Sequence, residues 1–360
     1  MPTLHPKSLA DPKGRTVALP DPKVSVVITS YNYENYVVRT IDSVLAQTYP
    51  NIEVIVVDDG STDGSPAVIE SYGERVRAVF KENGGQCSAV NAGYEVCTGD
   101  LAIFLDSDDA LYPDAVASVV EAWSSGVAAV QYYLDIVDAE ETPMGSREPA
   151  GRMPSGDLRK QLFAFGAFPF ANTGGAAFSR KVLEQVMPVP VEQFWTFVDY
   201  YLAMAAAALG PIVSLDRSLG FYRIHSANLS PVSGVAAEKL REELQADYRI
   251  ADVLRPLAAA QGYAIVPELP LRSPSHVKNR LVALRLDRAG HPWKDDTRLG
   301  LAWRLIVNAW RWPYYRLVTR LAVTVGALSL YLMPKAMFQR SANFVSLHFR
   351  WPKFLGGLLR

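Results

Sequence analysis

The stretch Leu101 to Asp109 (LAIFLDSDD) constrains this chain more than any other. Leu101, Ala102, Ile103, Phe104 and Leu105 form a short unbroken apolar run, the pattern of a strand buried on both faces of a parallel sheet. Asp106, Asp108 and Asp109 follow immediately. Carboxylates crowded together there repel one another and are costly to keep ionised without a cation. A hard divalent metal with oxygen ligands relieves that cost and commonly holds substrate phosphates as well. The carboxyl end of a strand is also where open α/β sheets take their ligands. A local alternative stays open: Asp108 and Asp109 could serve only to start a helix near Pro113 and Asp114.

The same layout recurs along the first half. Val24 to Thr29 reads as a buried strand ending at SYNYEN, and Ile52 to Val57 as a second that delivers Asp58, Asp59 and Gly60. Between them Val37, Ile41, Val44 and Leu45 recur at helical spacing. Val76 to Phe80 is a third strand, and NGGQCSAVNAG opens another helix. Alternating strands and helices predict an α/β fold, a mostly parallel sheet covered on both faces. No G-x-G-x-x-G follows the first strand, which argues against NAD or FAD. Further on, Gly126 to Val137 is a strand and Asp138 to Gly156 a loop. Asn172 to Ser179 is a strand candidate, followed by a short helix to Met187, and Trp195 to Leu209 is a helix carrying Asp199. Ile212 to Leu215 and Leu219 to Ile224 read as two short strands, closed by His225, and Val235 to Ala258 as a helix with one apolar stripe.

These motifs, taken in order, resemble a known family. VSVVITSYNYENYVVRTIDSVLAQTYPNIEVIVVDDGSTDGS, NGGQCSAVNAG, FLDSDD, FVDYYLAMAAAALG and FYRIHSANLS are similar to a family 2 glycosyltransferase of the GT-A fold, a Rossmann-like sheet. The resemblance covers roughly Val24 to Ser230. It implies that Thr29 and Tyr31 hold the nucleotide base and that Asp59 bonds the base edge. It places Asp106 near the ribose and the metal, and makes Asp108 the ligand of a Mn²⁺ or Mg²⁺ that bridges the donor diphosphate. Asp199 matches the catalytic base, and His225 a residue that in some members reaches the metal or diphosphate. Two positions depart from the family pattern: Val198 stands where Glu often precedes the base, and Val90 where Arg often precedes the helix Asn91.

The implied chemistry is coherent in itself. Breaking a sugar–diphosphate bond builds negative charge on the leaving group, which a metal stabilises as a Lewis acid. An acceptor hydroxyl is a poor nucleophile until a positioned carboxylate takes its proton, worth about 10²–10⁴-fold. One base and one metal on opposite sides of the sugar carbon give a single displacement and inversion; retention needs a nucleophilic carboxylate close to that carbon. The expected activity is therefore an inverting transfer from a nucleotide-diphosphate sugar, UDP-linked, to a glycan or lipid-linked acceptor in polysaccharide biosynthesis. Plain turn roles for Asp58 and Asp59, and a structural role for His225, remain as alternatives. A calcium loop at DSDDALYPDAV fails because Leu111 replaces the turn glycine and Ala117 the bidentate Glu. A nucleotidyltransferase would call for a glycine-rich phosphate loop where SYNYEN stands. A non-catalytic nucleotide-sugar-binding protein is the remaining alternative, because loss of the base leaves binding intact.

Charge divides the chain further. Beyond Asp296 lie ten of the 36 basic residues and none of the 37 acidic ones, so the net −1 splits into about −11 before and +10 after. Trp, Tyr and Arg recur together there, in WRWPYYR and HFRWPK, a mixture that suits a bilayer headgroup layer. No uncharged apolar run reaches the ~18 residues of a spanning helix. The chain accordingly divides into a flexible extension (1–22), a GT-A domain (23–230), a helical extension (231–296) and a membrane-associating tail (297–360). The expectation is a cytoplasmic protein attached peripherally to the inner face of the cell membrane, with an anionic membrane surface as partner and no nucleic acid. Packing of the tail as a helical subdomain is the alternative. Cys87 and Cys97 are too few for a disulfide framework and are expected to be buried, inert thiols.

Overall fold

The structure is a computed structural model that describes residues 21–195, 197–225, 237–334 and 337–338. Most of the N-terminal extension, the SANLS half of the last family-like motif and the HFRWPK segment lie outside the described residues. The chain divides into two compact units. One comprises the described residues to Phe163 with Phe168–His225 and Val253–Ala264. The other comprises Ala164–Ala167, the described residues to Asp252, and those from Ile265 onward.

The first unit is built on one sheet. Its strands are β1 (Val24–Ser30), β2 (Ile52–Asp58), β3 (Arg77–Phe80), β4 (Leu101–Asp106) and β5 (Ala110–Leu111). After these come β6 (Ala129–Val137), β7 (Pro143–Glu148), β8 (Ala176–Ser179) and β9 (Ile212–Arg223). The order is β3-β2-β1-β4-β8-β6-β9-β5, and β7 pairs with β6 beyond the stretch that β8 occupies. The sheet is parallel from β3 to β4, as the alternation of elements requires, and mixed beyond, where β8 runs antiparallel to both β4 and β6.

All seven residues of β1 are buried, because the strand has helices on both faces. Val26 and Ile28 pack in one cluster with Val37, Ile41 and Val44 of helix Val37–Leu45. On the other face, helix Gln86–Val96 comes down at Gly93, where an added Cβ would run into Val27 Cγ1 and stand 3.1 Å from Val57 Cγ2. Each such Val or Ile, fully buried, contributes about 1.5–3 kcal/mol. The chain lays β2 and β3 to one side of β1 and then returns to place β4 on the other. The gap between β1 and β4 is thus the point where strand order reverses, the usual ligand crevice of an open α/β sheet. Register aligns the strand ends there: Ser30 is opposite Asp58, and Thr29 opposite Asp106.

Several elements differ from the sequence reading: the helix expected from Trp195 begins at Val198, β5 has no counterpart in it, and three further segments differ as well. The segment expected as a loop contains β7, whose residues are mostly exposed and which is held by pairing with β6 rather than by burial. Ile212 to Arg223 is one continuous strand, because β6 pairs along its whole length with register shifts that carry it past the polar Asp216, Arg217 and Ser218. Asn172 to Ser179 opens with a buried 3-10 turn at Thr173–Gly175 and is extended only over Ala176–Ser179.

The second unit is helical. Leu244, Val277, Leu281, Leu301, Leu305, Val323 and Leu330 share one core, drawn from helices that include Pro274–Leu286, Arg298–Arg311 and Leu317–Leu332. Ser273 and Thr297 cap two of these helices, their hydroxyls accepting from the amides of His276 and Gly300.

Gly93→Ala tests the close approach of helix and sheet. Overpacking against Val27 is expected to lower stability by about 1–3 kcal/mol in urea unfolding, with no change in the m-value.

Candidate active site

Four segments meet at the carboxyl ends of β1, β2 and β4. Strand β4 carries Asp106 to its last position, and the turn after it returns the amide of Asp109 to the Asp106 carbonyl at 3.1 Å. Asp106, Asp108 and Asp109 are thereby held within one turn. Desolvation, then repulsion from Asp108, pushes the Asp106 carboxyl up to about 7. Asp109 is raised well above the ordinary carboxylate range by the same two causes, with Asp106 adding to them. The phenol of Tyr33, set beside all three, is raised by its own burial and by their charge.

Hydrogen bonds offset part of this repulsion. Gln86 Nε2 donates to Asp106 Oδ1 at 2.9 Å, and Thr29 Oγ1 does so at 3.5 Å. Arg223 is buried at the end of β9. It donates its amide to Asp109 Oδ1 (3.0 Å) and its Nε to the Asp108 carbonyl (2.9 Å). Its remaining nitrogens hold Ala139 O and Glu141 Oε1, which ties the β6–β7 turn to the site. His225 Nε2 lies 3.0 Å from Asp108 Oδ2, and its ring stacks on Tyr36 at 4.5 Å and meets Tyr33 edge-on.

Among the described residues no cluster of three or more His, Cys, Asp or Glu forms a ready-made metal cage. The site instead has one carboxylate and one imidazole whose donor atoms converge, with two further carboxylates crowded beside them. That donor set fits a hard cation that takes its remaining ligands from water and a diphosphate.

Asp58 and Asp59 have separate roles. Asp59 is buried with both oxygens engaged: Lys81 Nζ reaches Oδ1 at 2.6 Å, and the amides of Gly84 and Gly85 donate to the carboxylate, Gly85 to Oδ2 at 2.7 Å. It therefore orders the loop that carries Gln86 to Asp106. Asp58 Oδ1 accepts from the Ser61 amide, while Oδ2 has no partner among the described residues. Ser30 Oγ and Ser107 Oγ are orphaned likewise. These are three buried polar atoms at adjoining strand ends without a partner among the described residues. Tyr31 is exposed at the rim. Gly85 (φ +82°) is held against the Trp195 indole, which a Cβ there would approach to 2.7 Å.

Asp199 stands in the first turn of helix Val198–Leu209, partly buried, its Oδ1 accepting from the Tyr200 amide at 2.7 Å. Desolvation raises its carboxyl to about 6 against that hydrogen bond, and its charge is one of those raising Asp106. The site therefore brings together Thr29, Asp106, Asp108 and His225, with Asp199 near enough for its charge to raise Asp106. The sequence reading missed Gln86, Lys81, Arg223 and Tyr36. Gln86 directly after Gly84-Gly85, and Arg223 two residues before His225, were the only local signals for them. Asn91 is structural: its amide group exchanges two hydrogen bonds with the Val189 backbone, at 2.9 and 2.8 Å. Cys87 and Cys97 are buried free thiols, and desolvation lifts Cys87 to about 12.

The family profile described as Glycosyl transferase family 2 matches residues 25–187. An uncharacterized glycosyltransferase of Nostoc sp. is 37% identical over 229 residues, 61% of this chain and 71% of the relative. The succinoglycan biosynthesis protein ExoO of Rhizobium meliloti is 32% identical over 220 residues, 59% of this chain and 63% of the relative. Among solved structures, S. aureus TarS 1-349 in complex with UDP-GlcNAc superposes with a TM-score of 0.52 at 14% identity, covering 89% of this chain and 92% of that 1-349 chain. The mannosyltransferase PcManGT of Pyrobaculum calidifontis, in complex with GDP-Man and Mn²⁺, gives 0.50 at 19% identity over 89% of each chain. The architecture is that of the GT-A glycosyltransferases with a C-terminal helical region. The chain belongs to glycosyltransferase family 2.

The raised carboxyl of Asp199 has a stability consequence. The folded chain binds that proton more tightly than the unfolded chain, so ionising Asp199 opposes folding increasingly as pH rises from about 4 to about 6, and constantly above that. Asp199→Asn is expected to be more stable than the parent by about 1–3 kcal/mol at pH 7.5, the gain vanishing towards pH 4, in urea unfolding at both pH values.

Proposed function

We propose that this glycosyltransferase moves a sugar, with inversion, from a nucleotide-diphosphate sugar to an acceptor hydroxyl on a growing or lipid-linked glycan. The observation that carries this reading is the Asp108–His225 pair beside the crowded Asp106 carboxylate at the carboxyl end of β4, with Asp199 near enough for its charge to raise Asp106. Family membership supports a nucleotide-sugar donor at a general level, and the 32% identity to a succinoglycan biosynthesis protein favours polysaccharide as the product. UDP-sugars come first among donors to be screened.

In this reading Asp199 takes the proton of the attacking hydroxyl. A carboxyl held at about 6 is ionised at neutral pH yet more basic than an ordinary carboxylate, as a general base should be. Thr29 and Tyr31 line the base pocket. Asp59 supports it through the 81–85 loop, and Asp106 faces the ribose, oriented by Gln86. Asp108 and His225 would hold Mn²⁺ or Mg²⁺, which when bound supplies Lewis-acid stabilisation of the departing diphosphate. Arg223 fixes the backbone of Asp108, so that ligand stays aimed while the carboxylates around it repel.

Two variants test the assignment. Asp108→Ala is expected to lose Mn²⁺-dependent UDP binding in calorimetry together with turnover; unchanged metal-dependent affinity would remove Asp108 from the metal site. Asp199→Asn keeps shape but cannot take the proton, so transfer is expected to fall at least ~10²-fold while donor binding persists. Near-normal transfer by that variant would place the base elsewhere.

A further inference from the structure

The second unit has an apolar face that its own core does not use. In helix Leu317–Leu332, Val323, Ala327 and Leu330 are buried with Leu301, Leu305 and Ala309 of helix Arg298–Arg311. Leu317, Val318, Leu321, Val325, Leu328 and Leu332 are exposed, Val325 at 63% and Leu332 at 71%. With 3.6 residues per turn these six fall within one arc of about 100°. Helix Arg298–Arg311 adds exposed Leu299, Trp303 (66%) and Trp310, and Met337 follows beyond. Scattered exposed leucines are ordinary on any protein, but six apolar side chains on one arc of a helix, with two exposed tryptophans on the preceding helix, are not.

The charges on these helices are all of one sign. Arg298, Arg304, Arg311 and Arg316 are exposed on or beside them, and no Asp or Glu follows Asp296 in the sequence. Arg304 reaches Glu268 at 3.4 Å across an exposed pair, which leaves the excess positive. Like charge opposes pairing of this segment with the same segment of a second copy, and an anionic surface complements it. Length limits the mode of contact: no described helix is long and apolar enough to cross a membrane. A helix with an apolar stripe, flanking Trp and a basic surround lies in the plane of the headgroups.

We propose that helices Arg298–Arg311 and Leu317–Leu332 form a docking face for the surface of an anionic lipid bilayer, with Leu317, Leu321, Val325, Leu328 and Leu332 entering the acyl boundary and the arginines meeting lipid phosphates. The proposal is independent of the transfer chemistry, and its readout is lipid partitioning alone. The test is flotation of the full-length chain with vesicles of phosphatidylglycerol and phosphatidylcholine. The protein is expected to float at low salt, less at high salt, and less with phosphatidylcholine alone. Leu321→Gln/Val325→Gln/Leu328→Gln changes only exposed side chains; it should keep the parent's melting temperature and lose about tenfold or more in partitioning. Arg311→Gln/Arg316→Gln should lose the salt-sensitive part. The proposal is overturned if the parent stays at the bottom with anionic vesicles at low salt. It is equally overturned if the triple variant floats like the parent, or if the parent is a dimer without lipid that the triple variant breaks, which would make the face a contact between copies.

Discussion

Negative charge at the end of one buried strand is the constraint on which the first unit depends. Asp106, Asp108 and Asp109 lie within four residues, two of them with carboxyls lifted by desolvation and mutual repulsion. Neighbouring segments hold the cluster in place. Gln86 arrives from a helix start, Thr29 from the adjacent strand, and Arg223 and His225 from the end of β9. A site prepared this way pays a standing cost in the unliganded fold. In return it presents fixed acceptors whose charge a cation would offset.

Support behind these groups is built in the same manner. Asp59 cross-links Lys81 to the amides of Gly84 and Gly85 and so fixes the approach of Gln86. Arg223 joins the Asp108 backbone to Glu141 on the β6–β7 turn, and Glu141 also holds Arg39 at 3.0 Å. Arg223 touches the crowded turn directly, while Glu141, Arg39 and Asp59 act on it through their partners. Such groups orient the residues that touch ligand, which is what separates a preorganised site from a mere cluster of acids.

Asp199 shows burial overriding a favourable local position. Its place in the first turn of a helix should favour a carboxylate, and its hydrogen bond to the Tyr200 amide does so. Desolvation nevertheless wins, and the group is left more basic than a surface aspartate. A helix made of Val198, Leu202, Met204 and a run of buried alanines packs tightly enough to impose that environment.

What the sequence by itself determined is what depends on local pattern. Apolar runs of three to five residues marked β1, β2 and β4, because a strand buried on both faces needs little else, and the acids after β2 and β4 marked the sheet edge. The ordered motifs carried the family, and pointed to Asp106, Asp108, Asp199 and His225 as candidates. Tertiary structure decided what depends on distant partners. Gln86 meets Asp106 across 20 positions and Arg223 meets Asp109 across 114, and no local signal encodes either separation. Strand β7 is held by pairing with β6 and not by burial, so its polar sequence read as loop. Helix Leu317–Leu332 is apolar nearly all round, and only packing could assign Val323, Ala327 and Leu330 to the core while leaving Leu321, Val325 and Leu332 outside. Periodicity reports which residues can be buried; the path of the chain determines what buries them.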